Sequence, residues 1–154
     1  ILSSSYSDLD LESINISIKN LIFYDKKIII ASNMPGFYFE NYQSLVDQFF
    51  IKNNKLPEGI NLYKLKKEYF KSMDKRSKKI NSKLETIAKN NKLTYLNLAE
   101  LVCDFEEKIC DFITFDGQKI NFDNFHYTVE GAKYIGKRIY ELDWLKKINF
   151  INHN

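Results

Sequence analysis

Apolar positions recur along this chain with two different periods. Leu11, Ile14, Ile18, Leu21 and Ile22 lie three and four apart, which predicts an amphipathic helix over 8–24, with Ser7, Asp8 and Asp10 as helix-starting side chains. Ile28-Ile29-Ile30-Ala31 is the longest wholly apolar run. Unbroken β-branched runs belong to strands buried on both faces, as in parallel sheets. Asn33-Met34-Pro35-Gly36 closes that strand with turn residues. The stretch 37–57 is rich in aromatics and accommodates a helix over 42–50. The helical period returns over 62–90, where Tyr69, Met73, Ile80, Leu84 and Ile87 share one face. A strand over 93–98 and a short helical turn over 99–102 follow. Residues 112–114 and 119–122 flank Asp116-Gly117, a hairpin signal. Thr128 can cap a last helix whose inner face is Val129, Ala132, Ile135, Ile139 and Leu142. At the front, residues 2–5 read as the end of a buried strand.

Buried strands alternating with helices predict an α/β fold, a three-layer α/β/α sandwich with a mostly parallel sheet. The 154 residues, 44% of them hydrophobic, suit one domain with a true core. Five Gly and two Pro exclude collagen-like and linker-like chains. No apolar stretch reaches the length of a membrane span. The chain starts at Ile1 rather than Met, inside what reads as a core element. We therefore expect it to be part of a longer protein, lacking an N-terminal strand.

The net charge of +3 is modest for a nucleic-acid binder. Eleven Lys or Arg crowd 62–92 against Glu68, Asp74 and Glu85. A solvated helix face accounts for them, with contact to anionic headgroups or an acidic glycan as the alternative. No nucleic-acid signature accompanies the run, so no nucleic-acid partner is expected.

Chemistry centres on one of the two histidines. His153 is next to the last residue, whereas His126 follows Asp123 by three and leads into the last helix. A carboxylate at that spacing can hold one imidazole nitrogen, fix the tautomer and stabilise the imidazolium, while the other nitrogen takes a proton from a nucleophile. The tetrapeptide alone is more simply read as a His packed beside a helix start. Cys103 and Cys110 stand seven apart. That is no zinc pattern, and it admits either a disulfide or two reduced thiols. Ser3, Ser4 and Ser5 lack the Gly-rich elbow that exposes a catalytic serine.

The run Asp123-Asn124-Phe125-His126-Tyr127-Thr128, followed by Gly131-Ala132, resembles the last motif of SGNH hydrolases. It is most similar to the SGNH domain fused to membrane acyltransferase family 3 proteins. Ile1–Ser5 resembles the strand before that family's third motif, and 27–35 the strand-to-Pro segment after it. Residues 1–145 would then be the C-terminal part of one SGNH-like domain and 146–154 a tail. The resemblance implies an α/β sandwich of SGNH or flavodoxin-like type and a Ser-His-Asp triad with His126 as base and Asp123 as its orienter. It favours a Cys103–Cys110 disulfide and an extracytoplasmic, membrane-tethered location. The family's nucleophile lies in a Gly-Asp-Ser motif that is absent here, and is expected upstream of Ile1. No residue is assigned to the oxyanion hole, and no metal or cofactor is called for. The implied partners are an acyl donor, a carbohydrate acceptor and a membrane acyltransferase domain in the same full-length chain. The implied reaction is O-acetylation of lipopolysaccharide, another surface polysaccharide or peptidoglycan. A secreted SGNH carbohydrate esterase and an inactive SGNH-like glycan-binding module are the alternatives, as is an unrelated basic α/β protein that binds nucleic acid.

Overall fold

The structure, a computed structural model, describes residues 6–8, 10–39 and 43–147. The expected strand at 2–5 and most of the tail lie outside the described residues, as does His153. In order, the elements are α1 (Asp10–Phe23), β1 (Ile29–Ala31), α2 (Leu45–Asn53), α3 (Gly59–Ser72), α4 (Lys75–Asn90), β2 (Thr94–Leu96), a 3-10 turn at Leu98–Leu101, β3 (Cys103–Asp104), β4 (Ile109–Cys110), α5 (Val129–Glu141) and a 3-10 turn at Trp144–Lys147.

β1 and β2 pair in parallel, with Ile30 opposite Tyr95. All three β1 residues are buried, as the continuous apolar run demands. Side chains alternate across a strand, and here the alternation separates two cores. Ile28 and Ile30 pack with Leu11, Ile14 and Ile18 of α1 and Ile80 and Leu84 of α4. Ile29 and Ala31 pack on the other side with Leu96, Leu101 and Trp144, against Ile135 and Ile139 of α5. The result is helices on both faces of a small parallel sheet, the α/β layering that the sequence predicts. A third core lies beside the sheet, where Phe37, Phe39, Tyr69 and Phe112 meet ring to ring.

Three local expectations change. The single helix over 62–90 is two helices. Met73 turns extended, bridges Phe37, and buries its side chain, while the Asp74 N–H donates to the Gly36 carbonyl at 2.9 Å. The Asp74 carboxylate then caps α4 by accepting from the N–H groups of Arg76 and Ser77. The inner face of α5 also shifts. Val129 is 72% exposed and Ala132 and Leu142 are exposed, while Gly131 is buried and Tyr134, Ile135 and Ile139 are half-buried. Gly131 sets that phase: a Cβ there would lie 1.9 Å from the Ile120 carbonyl oxygen, so only glycine lets the helix start so close to this backbone. Finally, the hairpin about Asp116-Gly117 is a turn with little strand. Ile113 bridges Lys119, Ile120 N–H donates to Phe112, and Gly117 takes φ +80°. The disulfide is present: Cys103 and Cys110 are directly paired across β3–β4 and bonded.

Candidate active site

The segment 121–131 is shaped chiefly by its own hydrogen bonds. Asn121 and Tyr127 form an antiparallel bridge, and Phe122 N–H donates to the His126 carbonyl at 2.7 Å. Inside this loop the Asp123 Oδ1 accepts from the N–H groups of Phe125 and His126, both at 2.8 Å. The same carboxylate meets the His126 Nδ1, at 3.0 Å from Oδ1 and 2.8 Å from Oδ2. The Thr128 hydroxyl accepts from Gly131 N–H and so caps α5.

Asp123 is therefore a hub with up to four contacts on one carboxylate. The Phe125 N–H, then the His126 ring and N–H, favour the ionised form and hold the carboxyl down to about 2. An ionised carboxylate only accepts, so Nδ1 carries a proton, and in the neutral imidazole Nε2 then presents its lone pair. The His126 side chain is 77% exposed and Asp123 38%. Among the described residues no hydroxyl is hydrogen-bonded to His126.

Two contacts seat the loop on the segment that follows β1. Phe37 N–H donates to the Asn124 carbonyl at 2.8 Å. Gly36 lies so close beneath the Phe125 ring that a Cβ would come within 2.6 Å of two ring carbons. The loop thus overhangs the C-terminal ends of both parallel strands, the end at which α/β folds gather functional groups. There Ser32 N–H donates to Leu96, and the Ser32 hydroxyl accepts from Leu98 N–H. The Asn33 carboxamide pairs with both backbone groups of Tyr6, each at 2.9 Å, and the Asn81 carboxamide pairs likewise with the backbone of Asn33.

A cleft of about 790 Å³ opens at this point, with His126, Tyr6, Asn33, Tyr38, Arg76 and Phe125 on its walls. The serines that line it are engaged elsewhere. Ser7 donates to Asp10, Ser77 to Asp74, and Ser32 to the Asn33 carbonyl. One N–H of the Asn33 carboxamide is taken up by the Tyr6 carbonyl. Ser3–Ser5 lie outside the described residues. No group of three or more His, Cys, Asp and Glu gathers as a metal-ligand set among the described residues.

The structure thus brings Asp123 and His126 together and puts Cys103 and Cys110 elsewhere, on a hairpin that packs within the aromatic core. The sequence reading missed Tyr38, Arg76 and Phe125 as cleft residues. Arg76 carried a signal, since it opens a helix that Asp74 caps. The two tyrosine and phenylalanine rings carried none, because nothing local distinguishes them from core aromatics.

No curated protein matches the chain. A solved structure described as the periplasmic domain of a Salmonella ser. Paratyphi A lipopolysaccharide acetyltransferase is similar in fold, with a TM-score of 0.61 at 16% identity. The likeness covers 88% of this chain and 49% of that one, so the chain spans about half of that structure. A family model described as "SGNH domain (fused to AT3 domains)" matches residues 4–141. With that match across nearly its whole length, the chain belongs to the SGNH domains of the kind fused to AT3 domains.

Proposed function

We propose that this chain works as the acceptor-side domain of an O-acyltransferase that esterifies hydroxyls of a cell-surface glycan. The observation that carries the reading is the His126 Nδ1 held by both oxygens of an ionised Asp123 at the rim of an open cleft. Nε2 takes the proton from a serine hydroxyl supplied from outside these 154 residues. The serine oxygen attacks the donor's carbonyl carbon, and the leaving group takes that proton from the imidazolium. A sugar hydroxyl then loses its proton to Nε2 and attacks the acyl-serine, and the imidazolium returns that proton to the departing serine oxygen, which leaves an ester on the sugar. Asp123 stabilises the imidazolium in both halves without becoming protonated.

A membrane-embedded acyltransferase domain of the same protein would deliver the acyl group, acetyl by analogy with the neighbour's title. The Cys103–Cys110 disulfide supports an extracytoplasmic setting, where such bonds persist. The same pair of residues serves water as readily as a sugar, so the assay must follow the product. In the full-length protein, His126→Ala should lower O-acetyl incorporation into surface glycan by roughly 10³-fold, the weight of a triad base. Unchanged incorporation, read by mass spectrometry of the isolated glycan, sinks the assignment. Release of free acetate by the wild type, with none on glycan, replaces transferase by esterase.

A further inference from the structure

A second cavity, of about 550 Å³, lies between α3, α5 and two loops, and shares no lining residue with the His126 cleft. Its floor is a line of polar groups. Asp111, next to the disulfide, accepts from Lys66 Nζ of α3 at 2.6 Å and from the Tyr134 hydroxyl of α5 at 2.6 Å. One turn along α5 is Arg138. Its guanidinium approaches Glu141 at 3.8 Å, but its Nε is buried with no hydrogen-bond partner among the described residues. The two loops meet over the floor, for Leu56 touches the Gly117 backbone where a Cβ would sit 2.8 Å away. Beside them Phe115 is 94% exposed and lines the same opening.

Lys66 and Arg138 both line the cavity and carry only donors, so a ligand held by them must accept hydrogen bonds. It must also suit a floor on which donors and acceptors alternate within one hydrogen-bond length, and an exposed aromatic face at the mouth. Lys66 and Arg138 are balanced by Asp111 and by Glu58 and Asp116, which also line the cavity. That argues against a phosphate or another strong anion. The polar floor argues against an acyl chain. A pyranose meets every requirement: its hydroxyls both donate and accept, and its C–H face packs on an aromatic ring. The volume lies within the range of small-molecule sites.

We propose that this cavity is a saccharide-binding site that holds a sugar unit of the acceptor glycan away from the unit being acylated. The inference rests on the acceptor being a glycan, as argued above, and assigns it a second point of attachment. Phe115 supplies the stacking face and Arg138 donates to the hydroxyls.

The test uses the full-length protein and saturation-transfer NMR with the methyl pyranosides of glucose, galactose, mannose, rhamnose and N-acetylglucosamine. At least one should give transfer signal with the wild type. Phe115→Ala, a change at an exposed ring that leaves the core untouched, should weaken that binding roughly three- to tenfold. Arg138→Met should weaken it about tenfold or more. His126→Ala should leave it unchanged. Hydrolysis of p-nitrophenyl acetate should show the reverse pattern, lost in His126→Ala and retained in Phe115→Ala. No signal with any pyranoside, or equal signal in wild type, Phe115→Ala and Arg138→Met, overturns the site. Signal lost only in His126→Ala places the sugar in the other cleft and overturns it too. Ester hydrolysis that survives His126→Ala instead refutes the triad and leaves the cavity standing.

Discussion

Asp123 and Asp111 are both carboxylates with both oxygens engaged, yet they hold the molecule in opposite ways. Asp123 bonds to groups two and three residues away, and shapes one loop. Asp111 ties α3 to α5 through Lys66 and Tyr134. The first is exposed enough to be solvated by water, the second is three-quarters covered. The contrast teaches that a reactive group can be held in place without contributing much to stability, while its structural counterpart does the reverse. The imidazole needs a fixed partner and an open side, and a self-capped loop provides both. The junction of two helices needs a long-range tie, and its chemistry is then confined by that duty.

The sharpest challenge to this contrast is where the loop meets α5. Gly131→Ala places a methyl group against the Ile120 backbone. It should cost about 3 kcal/mol, the upper end of overpacking penalties, and lower the melting temperature by roughly 6–12 °C. A shift under a degree would show that the helix start moves freely and that the motif glycine is not structural. Next, Asp111→Ala leaves a lysine and a tyrosine hydroxyl half-buried without their partner. We expect about 2 kcal/mol of destabilisation in chemical denaturation, with the His126 ring resonances unmoved. Displaced His126 resonances would mean the two regions are coupled.

The smallest effect belongs to Asp123→Asn. The folded-state value of about 2 lies below the ordinary 3.8, so the wild-type carboxylate adds stability above about pH 4, and this is lost as pH falls toward 2. Exposure keeps it small. Melting curves of the two proteins should therefore run apart above pH 4 and converge near pH 2. Curves separated equally at pH 2 and pH 6 would show that the hydrogen bonds of the carboxylate do not depend on its charge.

These differences also explain what could be read from residue order. The Asp123–His126 contact and the Thr128 cap were legible because their partners are near neighbours, although the tetrapeptide alone also fitted a packed histidine. β1 was legible because burial on both faces leaves a run with no polar residue. The break at Met73 and Asp74 was hidden, since Tyr69, Met73, Ile80 and Leu84 keep one helical phase across it. Only the capping side chain of Asp74 signalled it. The face of α5 was misread because its apolar spacing suits Val129 and Ala132, while the close contact is made by a glycine that hydrophobic patterning ignores. The cavity around Asp111 was illegible for another reason. Lys66, Asp111 and Arg138 are ordinary surface types until α3 and α5 are brought side by side.

One feature of the sheet bears on how the site comes into being. Ser32 and Leu98, hydrogen-bonded at the ends of the parallel strands, are 66 positions apart, and Asn33 and Asn81 are 48 apart. Closing loops of that length costs chain entropy before any strand pairing offsets it. The Asp123–His126 turn, by contrast, closes over three residues. When the whole chain refolds from denaturant, that turn is therefore the fast part of this site to form and the floor beneath it the slow one.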